Sequence, residues 1–218
     1  VAACARQVGI TFLFAMTFHP SMRFVGPTRK MLGIPTAFNY LGPMTNPARV
    51  SSSAIGVANP QMVEKMAWVF ANRGDHALIF RGDDGLDELT IATTSQIWEA
   101  SGGTLQKYVF NPEGYGIERS SLDNLRGGDA EYNASVFRAV LAGEGESAKD
   151  SLHAIRNAVL INAAAGLMAY RKNDGRSFEE RYTEALTDAR QSIDTGAAAQ
   201  VLNAWVEFSH LAVETPSP

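Results

Sequence analysis

Four carboxylates lie within six positions of this chain, at Asp83, Asp84, Asp87 and Glu88. They directly follow the apolar run at 77–80, which is typical of a buried strand. A loop at the carboxyl end of a strand lies where open α/β sheets bind ligands. Oxygen ligands of this kind suit Mg²⁺, which takes one or two carboxylates together with waters and substrate phosphates. The stretch is therefore a candidate magnesium site.

A solvated turn explains the same stretch without a ligand, because Asp-Asp-Gly is a common turn sequence. Taken alone, residues 82–90 favour that turn over the metal site. An EF-hand calcium loop is excluded, since its Asp-x-Asp-x-Asp-Gly spacing and its closing glutamate are absent. The choice between turn and metal site depends on the rest of the chain.

Two further side chains with useful chemistry precede this loop. His19 stands just before a proline, where a structural, hydrogen-bonding histidine is more typical than a catalytic one. Arg29 is a surface residue by default, yet a guanidinium beside a substrate pocket is the natural bidentate clamp for a carboxylate. No catalytic residue is assigned, because no nucleophile and base are arranged in a recognisable motif.

Composition limits the kind of protein that carries these residues. The 218 residues are 45% hydrophobic and 19% charged, as in an ordinary globular protein. The net charge of −4 without a basic stripe argues against a nucleic-acid binder. The single cysteine, Cys4, rules out an internal disulfide framework and fits the cytoplasm. No run approaches the roughly 18 apolar residues that cross a bilayer, so we expect no membrane partner.

The first 50 residues predict a buried strand followed by a helix and a loop. The strand is predicted at 10–16, close to Val1 and without a preceding cap or linker, so we expect the interior of a longer protein. A helical segment from His19 to Leu32 contains Gly26-Pro27, which predicts a kink or a restart. Residues 35–49 hold three prolines and no helical period, which predicts a long functional loop.

A βαβ unit is predicted next. Its strands are expected at 53–58 and 77–80, and the helix between them begins after Asn59 and ends at Gly74. A crossover of this sort implies parallel strands. The acidic loop then follows the second strand directly.

The remainder predicts a hairpin and then helices. Two glycines at 102–103 join strands expected at 97–100 and 105–110. Helices are expected at about 130–142, 151–170, 178–191 and 196–212, and a frayed tail at 213–218. We interpret Asp129 as a helix cap rather than part of a phosphate loop, and the small-residue run at 162–166 as a helix packed closely on the sheet.

Several segments are recognisable when taken together. The chain reads His-Pro-Ser at 19–21, then Phe-Asn-Tyr-Leu-Gly-Pro-Met-Thr-Asn-Pro at 38–47, then Gly-Asp-Asp-Gly-Leu-Asp-Glu at 82–88. With Arg29 between the first two, this order closely resembles the anthranilate phosphoribosyltransferases of tryptophan biosynthesis. Short matches at 127–129, 162–164 and 194–196 extend the resemblance over essentially the whole chain.

The resemblance implies transfer of the phosphoribosyl group from phosphoribosyl pyrophosphate (PRPP) to the amine of anthranilate, with release of pyrophosphate. It implies that Asp87 and Glu88 hold Mg²⁺ on the pyrophosphate and that Arg29 grips the anthranilate carboxylate. Further positions matching the anthranilate channel are Ala15, His19, Gly42 and Pro43. Met22 stands where family members often carry tyrosine, which alters the outer part of that channel.

The resemblance also implies the fold and the partners. We expect an α/β fold with a central mixed, largely parallel sheet flanked by helices, as in the large domain of class II phosphoribosyltransferases and nucleoside phosphorylases. Residues 1–212 would form the C-terminal portion of that domain. The family's helical N-terminal domain, which forms a homodimer, is expected to be missing here. A glutamine amidotransferase subunit of anthranilate synthase is a further expected partner.

Two family motifs are absent from these 218 residues. Neither the glycine-rich Gly-Thr-Gly-Gly-Asp loop, which cradles pyrophosphate, nor the Lys-His-Gly-Asn segment occurs. We therefore expect the chain alone to be inactive. Two alternatives stay open: a pyrimidine nucleoside phosphorylase of the same fold, and a non-catalytic relative that binds nucleic acid.

Overall fold

The computed structural model describes residues 1–145 and 151–214. In chain order its elements are α1 (Ala2–Gln7), α2 (Ala15–Phe18), α3 (Met22–Leu32), α4 (Phe38–Met44), β1 (Ser52–Gly56), α5 (Pro60–Arg73), β2 (His76–Gly82), β3 (Ser95–Ser101), β4 (Thr104–Phe110), two short 3₁₀ helices (Pro112–Tyr115 and Leu122–Leu125), α6 (Ala130–Leu141), α7 (Ser151–Arg171), α8 (Phe178–Asp194) and α9 (Ala197–Glu214).

The chain divides into two compact units. The helical unit consists of Val1–Arg49 and α9, and the sheet unit is Val50–Thr195. The predicted extent of one domain over residues 1–212 stays a prediction. Of the expected tail, residues 213 and 214 belong to α9 and residues 215–218 lie outside the described part of the chain.

The sheet unit contains a mixed sheet of four strands in the order β1-β2-β3-β4. The predicted βαβ unit is confirmed, since β1 and β2 are parallel and α5 connects them. The other two pairings are antiparallel, so the sheet is less parallel than we expected. The reason is that the connection from β2 to β3 contains no crossover helix, and the chain returns alongside β2 in the opposite direction.

The predicted helix boundaries of the sheet unit rest on local capping and are confirmed. The side chain of Asn59 accepts the Gln61 N–H at 2.9 Å, and Gly74 ends α5 with a φ of +73°. Asp129 accepts the Tyr132 N–H at 2.8 Å, which confirms it as the cap of α6. The capping box of Ser177 and Glu180 at the start of α8 is also present.

Helix α7 forms the centre of the sheet unit. By length and composition alone it would pass for a membrane span, which our sequence interpretation did not anticipate. However, 56% of its apolar window is buried inside the protein. It packs on β1, β2 and α8, and nine of its residues are buried. Its apolar character is therefore that of a core helix.

Two predictions for the helical unit are wrong. Residues 10–14 form neither strand nor helix, and Phe12 and Phe14 are 63% and 51% exposed. A strand needs a neighbour to complete its backbone hydrogen bonds, and among the described residues none pairs with this segment. The expected long loop at 35–49 contains α4, and just before that helix the Thr36 N–H donates to the side chain of Asn39. Helix α3 continues through Pro27 without a restart.

A buried carboxylate joins four elements of the sheet unit. Glu99 on β3 is 1% exposed and receives two hydrogen bonds from the Arg181 guanidinium of α8, at 2.7 and 2.8 Å. The Nε2 atom of His76 on β2 lies 3.2 Å from the same carboxylate, and its Nδ1 contacts the carbonyl oxygen of Ala169 on α7. Burial on its own raises the pKa of Glu99, but these partners bring it down to about 2.

We predict that Glu99→Gln destabilises the protein by about 3 kcal/mol at pH 7, because a pKa lowered from 4.5 to about 2 stabilises the fold by that much. A lowered carboxyl pKa stabilises above the unfolded value and loses that effect as pH falls. The difference between wild type and variant should therefore shrink between pH 4.5 and pH 2. Denaturant unfolding at several pH values measures it.

The matched control is Asp123→Asn, which breaks an ion pair with Arg126. The Asp123 side chain is 80% exposed and the Arg126 side chain 79%. Exposed pairs of this kind contribute at most about 1 kcal/mol. Equal losses for the two variants would contradict the role assigned to the buried carboxylate.

Candidate functional site

The first half of the acidic loop is a hydrogen-bonded turn. The Gly82 N–H donates to the Leu86 carbonyl at 2.9 Å, and Asp84 accepts the Leu86 N–H at 3.1 Å. Asp83 accepts from the hydroxyl of Thr94 and the amide of Gln96. The solvated-turn interpretation is thus right for these two carboxylates, which hold the loop together.

Asp87 and Glu88 differ from their neighbours. Both are exposed, and neither carboxylate forms a hydrogen bond or ion pair with the part of the chain that the structure describes. Partial burial and the adjacent Asp87 charge raise the pKa of Glu88. A divalent cation between the two carboxylates would relieve that repulsion.

The carboxylates of Asp87 and Glu88 suit Mg²⁺ if waters and substrate supply its remaining ligands. Within the described ranges, no group of three or more His, Cys, Asp or Glu side chains could hold a metal ion. Mg²⁺ nevertheless commonly binds through one or two carboxylates and completes its octahedron with waters and substrate phosphates. Asp87 and Glu88 suit that mode, and they are the residues that would hold the ion.

Two residues to which our sequence analysis gave no role at the site contact the backbone around this pair. Gly56, the last residue of β1, lies so close to Asp87 that a Cβ atom there would be 1.4 Å from the Asp87 carbonyl oxygen. Asn162 on α7 exchanges two hydrogen bonds with the backbone of Leu89. The available signal was an asparagine in the middle of a helix, a poor helix former among alanines.

We predict that Asp87→Asn lowers the pKa of Glu88, because the charge that helps to raise it is removed. Side-chain carboxyl chemical shifts of Glu88, followed by NMR through a pH titration, give the direction. Asp123→Asn serves as the control and should leave Glu88 unchanged. A Glu88 titration identical in both variants would mean that the two carboxylates do not interact.

The helical unit contains a cavity of about 400 Å³. Five of the six residues expected to contact anthranilate line it, and they come from α2, α3, α4 and the turn after α2. They are Ala15, His19, Met22, Arg29 and Gly42. Pro43 is the next residue along α4 but does not line the cavity. The remaining lining side chains are Met16, Arg23 and Phe38, with Gly26 between them in the wall.

Arg29 is the cavity residue best suited to bind an anion. Its side chain is half-buried, and its guanidinium has no hydrogen-bond or ion-pair partner among the described residues. Apolar walls with a few polar groups are typical of small-molecule pockets of 300–1,000 Å³. The guanidinium can therefore receive a carboxylate while the thioethers and the Phe38 ring contact an aromatic ring.

Comparison with known proteins defines the class. Residues 1–199 match the glycosyl transferase family, a/b domain. The chain belongs to that family.

Individual relatives within that family carry more specific names. Anthranilate phosphoribosyltransferase of Rhodococcus jostii (strain RHA1) is 50% identical over 209 residues, which are 96% of this chain and 56% of that protein. The crystal structure of anthranilate phosphoribosyltransferase from Thermus thermophilus superposes with a TM-score of 0.82 at 35% identity, over 95% of this chain and 58% of that one.

A third neighbour carries ligands. The anthranilate phosphoribosyltransferase from Saccharomyces cerevisiae in complex with PRPP and Mg has a TM-score of 0.75 at 27% identity, over 87% of this chain and 51% of that one. The resemblance drawn from the sequence motifs is confirmed. This chain spans about half the length of the curated relatives that it matches.

Proposed function

We propose that the protein to which this chain belongs transfers the phosphoribosyl group from PRPP to the amine of anthranilate, releasing pyrophosphate. The observation that carries the proposal is the cavity of the helical unit, whose largely apolar lining includes the half-buried Arg29 guanidinium, which has no hydrogen-bond or ion-pair partner among the described residues. A small aromatic carboxylate matches that chemistry. The names of the relatives point to the same substrate.

The acidic pair supports the second half of the proposal. In the transfer, the ribose C1–O bond to pyrophosphate breaks while the anthranilate nitrogen bonds to C1, and the amine loses a proton. Pyrophosphate leaves as a highly charged anion, so the reaction needs charge neutralisation at the leaving group. Asp87 and Glu88 would hold Mg²⁺, which supplies that charge and orients the phosphates.

Anthranilate requires orientation more than activation, because its arylamine is already neutral at pH 7. A bidentate Arg29–carboxylate contact would fix the plane of the ring and direct the amine. Met22 and His19 also line this cavity and would limit which substituted rings enter it.

The remaining expectations belong to the same proposal. Since the glycine-rich pyrophosphate loop is absent from these 218 residues, we propose that the chain alone does not turn over. Cytoplasmic location, homodimer formation and a partnership with the amidotransferase of anthranilate synthase are also proposed for the whole protein.

We predict that Asp87→Ala and Glu88→Ala each abolish Mg²⁺-dependent turnover in the full-length protein, since each removes half of the protein's ligands to the ion. The assay follows loss of anthranilate fluorescence. Asp84→Asn is the control in the same loop, because it removes a charge and retains an acceptor for the Leu86 N–H. Undiminished turnover after either alanine substitution would refute the metal assignment.

We also predict that Arg29→Ala raises the KM for anthranilate about 10- to 100-fold, which corresponds to loss of a charge-assisted hydrogen bond. The KM for PRPP should change much less. Lys30→Ala is the matched control, because Lys30 is the next cation on α3 and does not line this cavity. Phosphorolysis of thymidine by the wild type, without anthranilate transfer, would favour a pyrimidine nucleoside phosphorylase instead.

A further inference from the structure

The segment that carries the acidic pair stays buried after it leaves the sheet. Leu89, Thr90 and Ile91 are at most 1% exposed, although they belong to no strand or helix. Buried backbone N–H and C=O groups need hydrogen-bond partners, and an irregular segment has no ladder to supply them. The Ile91 carbonyl accepts from the backbone N–H of Ser120. The Thr90 N–H instead donates to the Ser95 hydroxyl, so a side chain supplies the partner there.

Asn162 supplies both partners at Leu89. The Leu89 N–H donates to Asn162 Oδ1 at 3.0 Å, and Asn162 Nδ2 donates to the Leu89 carbonyl oxygen at 3.0 Å. The same Nδ2 also donates to the Ala158 carbonyl, one turn earlier in α7, at 2.9 Å. That third bond fixes the orientation of the amide, so helix α7 is tied to the residue directly after Glu88.

Strand β1 restrains the same segment at its other end. The Asp87 carbonyl occupies the space that a side chain at Gly56 would need. The backbone is thus in contact with β1 at Asp87 and hydrogen-bonded to α7 at Leu89, with Glu88 between them. Two rigid elements fix the main chain from which both carboxylates project.

We propose that Asn162 is a positioning residue for the Asp87–Glu88 cation site. Its paired hydrogen bonds hold the backbone so that both carboxylates can reach one divalent cation. Asn162 acts through Leu89 and touches neither cation nor substrate. The proposal rests on the proposed function, since it takes the acidic pair to be the metal-binding residues. Partners of this kind commonly change metal affinity 10- to 100-fold when they are removed.

The test measures cation binding without catalysis. Mn²⁺ is titrated into the full-length protein without substrates, and free Mn²⁺ is quantified by electron paramagnetic resonance. Asn162→Ala is expected to weaken Mn²⁺ binding about tenfold. The Mg²⁺ concentration for half-maximal turnover should rise by a similar factor, whereas kcat at saturating Mg²⁺ should fall less.

The matched control is Asn157→Ala. Asn157 is also on α7 and is 6% exposed, but its amide contacts His153 Nε2 at 2.9 Å within the same helix. It should lower the melting temperature without weakening Mn²⁺ binding. If Asn162→Ala does not fold, Asn162→Ser replaces it, because a hydroxyl is too short to serve both Leu89 groups and should weaken Mn²⁺ binding similarly.

Two outcomes overturn the proposal, and they are distinguishable. In the first, Asp87→Ala abolishes Mn²⁺ binding, but the Asn162 variant binds Mn²⁺ within about twofold of the wild-type affinity. That result would mean that Asn162 serves stability alone. Unchanged Mn²⁺ binding in Asp87→Ala would remove the cation site itself, and the metal part of the proposed function would fail with it.

Discussion

The requirement that buried backbone groups be hydrogen-bonded governs the functional half of the sheet unit. The chain leaves β2, forms an exposed acidic turn and re-enters the core at Leu89 without joining a strand. An amide from α7 therefore completes its hydrogen bonds. This arrangement places Asp87 and Glu88, which have no hydrogen-bond or ion-pair partner in the described part of the chain, on the exposed portion of a firmly held segment. The same arrangement thus holds the main chain in place and leaves the two carboxylates exposed to solvent.

Two glutamates in this unit show how the environment decides the role of one residue type. Glu99 is the more deeply buried, yet its pKa is lowered, because Arg181 and His76 stabilise the charged form. Glu88 is exposed, but its pKa is raised, because partial desolvation and Asp87 oppose its charge. The Glu99 carboxylate has its hydrogen-bond partners within the protein, and its contacts connect β2, β3, α7 and α8. The Glu88 carboxylate has no positive partner among the described residues, which leaves it available to an external cation.

The helical unit is organised around a cavity. Its short helices contain Pro27 and Pro43, and they enclose a cavity instead of a packed core. Such helices obtain little stability from their own length, since short helices are marginal in water. Their arrangement brings two guanidiniums, a histidine and several apolar side chains to the lining of one cavity. Residues spread over almost 30 positions of the sequence thereby share one pocket.

The sequence by itself determined the features that depend on neighbouring residues. The caps at Asn59, Asp129 and Ser177 and the hairpin glycines follow from local backbone chemistry, and the motifs at 38–47 and 82–88 identified the family. Tertiary structure decided what depends on distant partners. Residues 10–14 are apolar enough for a strand but pair with none in the described chain. The contact between Asn162 and Leu89 spans 73 positions, and no local pattern specifies a hydrogen bond across that separation.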